Sequence, residues 1–256
     1  MGKMEAPAVN VHPDSFIGTV MAVEGIADAA ALLHGPDGCR KNLSSLSGKV
    51  YPRDPPADSG LSVPYYRGIP RVPCTEILSD DYISGAEHKV ADALSFVCER
   101  EKGPVAIVCT PGASLIGDDI NKAIRDCGAE NRALNLDADT ASGTCAGGLD
   151  SALARIADFL IKEPCEKKKG TVNVLGVNIL TKDWISVREE FENVLGLMDL
   201  DIICFLGAGC TSDEIRASAG AEYNIVLSPE YCGKTSEYYE KKYGIKPVGL
   251  GYAPVG

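Results

Sequence analysis

Short apolar runs alternate with amphipathic stretches along most of this chain, and that alternation leaves few architectures open. A strand followed by a crossover helix, repeated, builds a parallel sheet. Residues 29–33 and 104–109 are predicted as buried strands, and 85–100 between them has helical spacing at Val90, Ala93, Leu94 and Val97. A Pro-Gly turn after Cys109 leads through Leu115, Ile116, Gly117, Asp118 and Asp119 to a helical pattern over 120–127. Asp118 or Asp119 is placed to cap that helix, which ranks above acid/base chemistry by the carboxylate pair. Residues 151–162 form another amphipathic helix, and the charged stretch 163–170, with Pro164 and three lysines, marks a solvated linker. Beyond it the alternation restarts at 172–177, 187–197, 202–206, 213–218, 224–227, 236–242 and 246–252. The fold expected is therefore α/β, two Rossmann-like parallel-sheet units over 1–165 and 170–256. Neither unit carries G-x-G-x-x-G or a Walker loop, so no nucleotide site is signalled.

Composition narrows the partners. With 256 residues, 45% of them apolar, the chain has enough material for two cores. A net charge of -11 argues against nucleic acid and against an anionic membrane surface. No apolar run approaches the roughly 20 residues of a membrane-spanning helix, and residues 1–10 lack the order of a signal peptide, so a cytoplasmic location is expected. Ten cysteines in such a chain read as free thiols rather than a disulfide framework. Cys98, Cys127 and Cys204 lie in apolar runs, where a reduced Cys packs as a small hydrophobe.

In parallel α/β sheets ligands collect beyond the carboxyl ends of strands, where Cys39 and Cys109 fall. Gly35 and Gly38 permit close backbone approach before Cys39, Pro36 stiffens the turn, and Arg40 follows it; these four are the candidate cofactor contacts. Pro111-Gly112 after Cys109 is expected to expose that side chain. Iron-sulfur clusters are held by thiolates, usually four of them, but spacing alone does not carry that reading here, since there is no C-x-x-C run and two isolated Cys in turns are more often structural. The stretch 41–73 is rich in Pro, Gly, Ser, Tyr and Arg and reads as a long loop. Its Lys49, Arg53, Arg67 and Arg71 make a basic island that suits either a solvated loop or an anionic cofactor.

Three motifs recur in a known order: His34-Gly35-Pro36-Asp37-Gly38-Cys39; Thr75 to Asp81 leading to Gly85-Ala86-Glu87; and Cys109 leading to Ile116-Gly117-Asp118-Asp119. In this the chain resembles the nitrogenase component 1 type oxidoreductases. They include nitrogenase subunits and their cofactor scaffolds, dark-operative protochlorophyllide reductase and the reductive cyclase of nickel-tetrapyrrole synthesis. Asn224 to Leu227 and Lys242 to Ile245 resemble the second domain of those proteins. The resemblance implies a cluster, a 4Fe-4S cluster by ligand number, bound by Cys39 and Cys109 at a subunit interface; Cys74, on the same side of the long loop and beside Thr75-Glu76, is the competing third ligand within the chain. The resemblance also implies an ATP-dependent iron-sulfur reductase as electron donor, and a homodimer sharing the cluster or a heterodimer with a related subunit.

Departures from the pattern matter as much. Where many members have an early Cys, this chain has Val11 followed by His12 and Pro13, which argues against an eight-iron cluster and is closer to the tetrapyrrole cyclase branch. The place of the nitrogenase cofactor thiolate falls on Ser228, with Cys232 one helical turn later, so dinitrogen reduction is not expected. The third domain of the family is expected to be missing.

Overall fold

The computed structural model describes residues 13–52, 71–136, 143–163 and 165–249. In chain order these residues form α1 (Ser15–Glu24), β1 (Ala30–His34), α2 (Asp37–Val50), α3 (Asp81–Ser84), α4 (Glu87–Arg100), β2 (Val105–Cys109), α5 (Ile120–Asp126), β3 (Ala133–Asn135) and α6 (Cys145–Leu160). Then follow β4 (Thr171–Leu175), α7 (Trp184–Gly196), β5 (Asp201–Phe205), α8 (Ser212–Ala217), β6 (Tyr223–Val226), α9 (Gly233–Tyr243) and β7 (Lys246–Val248). Every strand pairing is parallel, in two sheets ordered β1-β2-β3 and β5-β4-β6-β7. The α/β class with parallel sheets is as expected from the sequence.

β1, β2 and β4 are buried along their whole length, as strands covered on both faces must be; β2 is apolar throughout and β1 up to His34, whereas β4 carries Asn173, whose amide donates to the Ser218 carbonyl at 2.9 Å. Alternation along the first sheet sends its side chains to two cores. Ala31, Leu33, Ala106 and Val108 join a large core that also takes Val172, Phe205 and Tyr239 from the second half of the chain. Ala30, Leu32, Val105, Ile107 and Cys109 join a smaller one with residues of α4 and α5.

Helix α1 is buried nearly all round, and the chain reaches that density through glycine. A Cβ on Gly18 would stand 1.9 Å from the Cys145 carbonyl oxygen, and one on Gly148 would stand 2.1 Å from that of Ser15. The backbones of α1 and α6 therefore cross almost in contact. Asp14 caps α1 by accepting from the Ile17 amide at 3.0 Å. Asp150, buried on α6, accepts from the amides of Lys234 and Thr235 at 2.7 and 2.9 Å and so caps α9 from across the molecule.

Three sequence expectations change, and two elements were not read at all. Residues 41–50, read as loop, belong to α2, whose apolar stripe is thin because serines occupy its buried Ser44 and Ser47 positions. Helix α6 begins at Cys145 rather than 151, and its Gly148 permits the close approach of α1. Helix α1 was not anticipated, and β3 is too short to register as a run. The lysine stretch is not simply solvated, since Lys167 donates to the carbonyls of Ala219 and Ala221 at 3.0 and 3.2 Å. Among the described residues no helix is long and apolar enough to cross a membrane.

Candidate functional site at the carboxyl end of the first sheet

The three sequence motifs meet around one buried histidine. His34 ends β1 with no exposure to solvent. Its Nδ1 lies 3.0 Å from the Thr75 hydroxyl and its Nε2 lies 3.0 Å from the Asp118 carboxylate. The Thr75 hydroxyl accepts from the Gly35 amide at 3.2 Å, and Asp118 accepts from the Ala86 amide at 3.0 Å. A threonine hydroxyl already accepting one proton is free to give its own to Nδ1, which leaves Nε2–H for the carboxylate. One network thus binds the loop after β1, the segment beside it, the start of α4 and the loop before α5. The sequence reading gave helix capping to Asp118 or Asp119; Asp119 does cap α5, accepting from the Lys122 amide at 2.8 Å, while Asp118 holds the network.

The glycines of the first motif divide in function. A Cβ on Gly35 would come within 2.3 Å of the Thr110 methyl, so the turn needs glycine there for packing. Nothing lies within 4 Å of a Cβ at Gly38, leaving the backbone beside Cys39 open. Pro36 occupies the cap position of α2, and Cys39 stands in its first turn, half-buried. Burial pushes the Cys39 thiol pKa up. Arg40 is buried and forms an ion pair with Asp37, which also meets Lys41 at 2.7 Å.

Cys109 is 2% exposed, not turned outward. It is the last residue of β2 rather than part of the turn after it, and alternation sends its thiol to the same face as Ile107, against α4 and α5. Cys39 packs against the opposite core. Cys39 and Cys109 thus pack toward different cores. Among the described residues no three His, Cys, Asp or Glu side chains gather as a metal site.

Cys74 stands differently. The segment around it runs along the free edge of β1, with Leu33 donating to the Pro73 carbonyl at 2.8 Å and the Thr75 amide donating to that of Leu33 at 3.0 Å. A cavity of about 350 Å³ opens beside it, lined among others by Arg40, Cys74, Glu76, Lys89, Asp92 and Phe96. Burial raises the Cys74 thiol pKa, opposed by a hydrogen bond from the Glu76 amide and by Arg40.

Other candidates fall elsewhere. Arg71 is buried against Glu24 at 2.8 Å, so it belongs to the core rather than to a surface basic island. Lys49 lies exposed at the end of α2, and His12, Arg53 and Arg67 lie outside the described residues. Cys232 is buried, with a thiol pKa pushed up to about 12 by burial first and Asp150 second, and it donates to the Ser228 carbonyl at 3.3 Å. Cys204 is core as expected; Cys98 and Cys127 are only partly buried. The His34–Thr75–Asp118 network was missed as a site feature, although each member stood in a motif.

Two parallel sheets and this motif-built network define a protein class, and comparison with known proteins gives it its family. Residues 15–256 match the family described as nitrogenase component 1 type oxidoreductase. The chain belongs to that family. It is 23% identical over 241 residues to the nitrogenase iron-molybdenum cofactor biosynthesis protein NifE of Clostridium pasteurianum, covering 93% of this chain and 49% of that protein. It is 28% identical over 109 residues to one subunit of the light-independent protochlorophyllide reductase of Heliobacterium modesticaldum, covering 42% of this chain and 20% of that one. A solved structure titled nitrogenase Cp1 at pH 5 shares the fold with a TM-score of 0.76 at 22% identity, covering 96% of this chain and 49% of that chain. The chain spans about half the length of the first of these relatives.

Proposed function

We propose that the chain is an iron-sulfur redox subunit that passes low-potential electrons from an ATP-dependent reductase partner to a bound substrate, tetrapyrrole-like rather than dinitrogen. The observation that carries this is the His34 network, which gathers the family motifs at the strand ends of the first sheet. Rigid loops there suit a cofactor whose potential depends on fixed surroundings. Residues 1–165 would form the cluster-bearing unit and 170–256 the second, Rossmann-like unit. Cys39, Cys109 and Cys74 are the thiols from which ligands are drawn, with Gly35, Pro36, Gly38 and Arg40 around them. A cytoplasmic homodimer, or a heterodimer with a related subunit, completes the four thiolates of a 4Fe-4S cluster. Anaerobic purification with iron and sulfide analysis tests this directly. A protein that takes up iron, and whose visible absorption bleaches when a low-potential reductase and ATP are added, supports it; iron-free protein after reconstitution rejects it.

A second reading has its own support. Similarity over most of the chain runs to proteins named for cofactor biosynthesis, which favours a non-catalytic scaffold or carrier for a metallocluster or tetrapyrrole. Tight cofactor binding without turnover in the presence of reductant would select it.

A further inference from the structure

We infer that a cavity between α1, α6 and α9 binds the oxyanion group of a small molecule, a carboxylate or a phosphate, with Arg155 and Lys234 as its charge partners. The cavity measures about 250 Å³, and its walls come from both halves of the chain: Ser15 and Thr19 on α1, Ser151 and Arg155 on α6, and Lys234 at the start of α9. Charge singles it out. The chain carries a net charge of -11, yet among the described residues two cations and no carboxylate line these walls. The cavity beside Cys74 sets Arg40 and Lys89 against Glu76 and Asp92, and those two cations are already paired with Asp37 and Asp81. Another, beside β5, sets Arg188 against Glu192, Asp201 and Glu214. Asp150 adjoins Ser151 in sequence but is buried, and its oxygens accept from the amides of Lys234 and Thr235 and from the Thr235 hydroxyl. That carboxylate is committed to the first turn of α9.

The donors are set in place by contacts of their own. Ser151 and Arg155 stand four residues apart on α6 and so share one face of it. Lys234 Nζ donates to the Ser151 hydroxyl at 2.7 Å, one of the three protons an ammonium can give. A hydroxyl that accepts from an ammonium keeps its own proton to donate. Arg155 donates to the carbonyl of Asn135, the last residue of β3, at 2.5 Å, which tethers the guanidinium at the strand end. A guanidinium presents five N–H groups in a planar fork that matches carboxylate and phosphate oxygens. The cavity therefore offers an ammonium, a guanidinium and a hydroxyl, the donor set an oxyanion requires.

Position agrees with this chemistry. Ligands of parallel α/β sheets collect beyond the carboxyl ends of the strands. Arg155 is held at that end of β3, and Lys234 opens the helix that follows β6. The two strands belong to different sheets, so an anion held by both cations spans the two halves of the chain. It would also neutralise two like charges that the fold brings to one cavity. The site stands whether or not the chain carries a cluster.

Isothermal titration of the full-length protein with sodium phosphate and with sodium citrate, each at constant ionic strength, provides the test. At least one of the two is expected to bind, and the preferred anion names the ligand's chemistry. Arg155→Ala and Lys234→Ala should each weaken binding about tenfold or more, the loss of a charge-assisted hydrogen bond. Lys49→Ala removes an equal charge from an exposed lysine that does not line the cavity and should leave binding unchanged. Circular dichroism confirms the fold of each variant. Acetylation of the unmutated protein with acetic anhydride, read by mass spectrometry, adds a measurement that no folding defect can mimic: the bound anion should slow modification of Lys234 and not of Lys49. Failure of both anions to bind, equal weakening in all three variants, or a Lys234 that the anion does not protect would overturn the assignment. Iron content enters none of these readouts, so the result stands apart from that of the cluster-bearing reading.

Discussion

On one face of the first sheet, Ala31, Leu33 and Val108 pack into a core that continues through α1 and α6 to β4, β5 and α9. On the other face, Leu32, Ile107 and Cys109 meet α4, α5 and the loops that introduce them. The first face joins the two halves of the chain, so a defect there is felt by both sheets. The second serves the first sheet alone, and the hydrogen bonds between His34 and Asp118 and from the Ala86 amide to Asp118 tie its loops together. Cys39 and Cys74 lie on the unifying face and Cys109 on the local one, and substitutions should report that division in the size of their effects.

The largest effect belongs to the α1–α6 crossing. Gly18→Ala places a methyl within 1.9 Å of a backbone oxygen, which no side-chain rotation relieves. Overpacking of this kind costs about 3 kcal/mol, against a total stability of roughly 5–15 kcal/mol for a folded domain. Urea unfolding should show that loss in a single transition affecting both sheets. Gly38→Ala, with no atom within 4 Å, should change stability by less than about 0.5 kcal/mol. Equal midpoints for the two variants would break the comparison at its root.

Next comes the polar network on the local face. Asp118→Ala removes the acceptor that serves both His34 Nε2 and the Ala86 amide, and a buried donor losing its acceptor costs about 1–3 kcal/mol. Asp118→Asn keeps the shape and one acceptor oxygen, so it should lose less. Hydrogen exchange is the sharper probe: protection should fall at the start of α4 and stay unchanged in β4 and β6. Loss spread evenly over both sheets would mean that the local face is not local.

Cys109 gives a smaller and chemically specific effect. Replacing its thiol with a hydroxyl in an apolar site costs about 1–3 kcal/mol, so Cys109→Ser should be the less stable partner of Cys109→Ala in denaturant titrations. The reverse order would place Cys109 in a wet environment, contrary to its 2% exposure.

How much of this was legible in the sequence follows from what each feature depends on. Strands β1 and β2 are buried on both faces, so their apolar runs named them, whereas the turn read after β1 is the start of α2 and carries Cys39 in its first turn. Helix α2 hid because Ser44 and Ser47 fill positions that an apolar stripe would mark. The face taken by Cys109 depends on where β2 ends, and a difference of one residue reverses it. The pairing of Leu33 with Cys74 is a contact across 41 positions of chain that no local pattern encodes. Asp118 and Asp119 look alike in sequence; only the loop's path gives one to a helix end and the other to His34.

The smallest effect lies at the rim of the local face, where Asp81 accepts from the Leu78 amide at 2.6 Å and meets Lys89 at 2.6 Å. The amide hydrogen bond first, and then Lys89, hold its carboxyl below the ordinary aspartate value. A carboxylate whose folded pKa is depressed contributes stability that is present above its unfolded pKa, about 4, and lost as pH falls through the folded value. Asp81→Asn should therefore be slightly less stable than the parent at pH 6, and the difference should shrink as the pH is taken below about 4. Denaturant midpoints for both proteins over that range provide the check. Because α3 sits at the rim, the parent's pH-dependent loss should appear in probes of α4 and leave the shared core's transition in place. A constant offset between the two proteins at every pH would mean that Asp81 contributes by shape rather than charge, and the polar ordering of this face would then rest on His34 and Asp118.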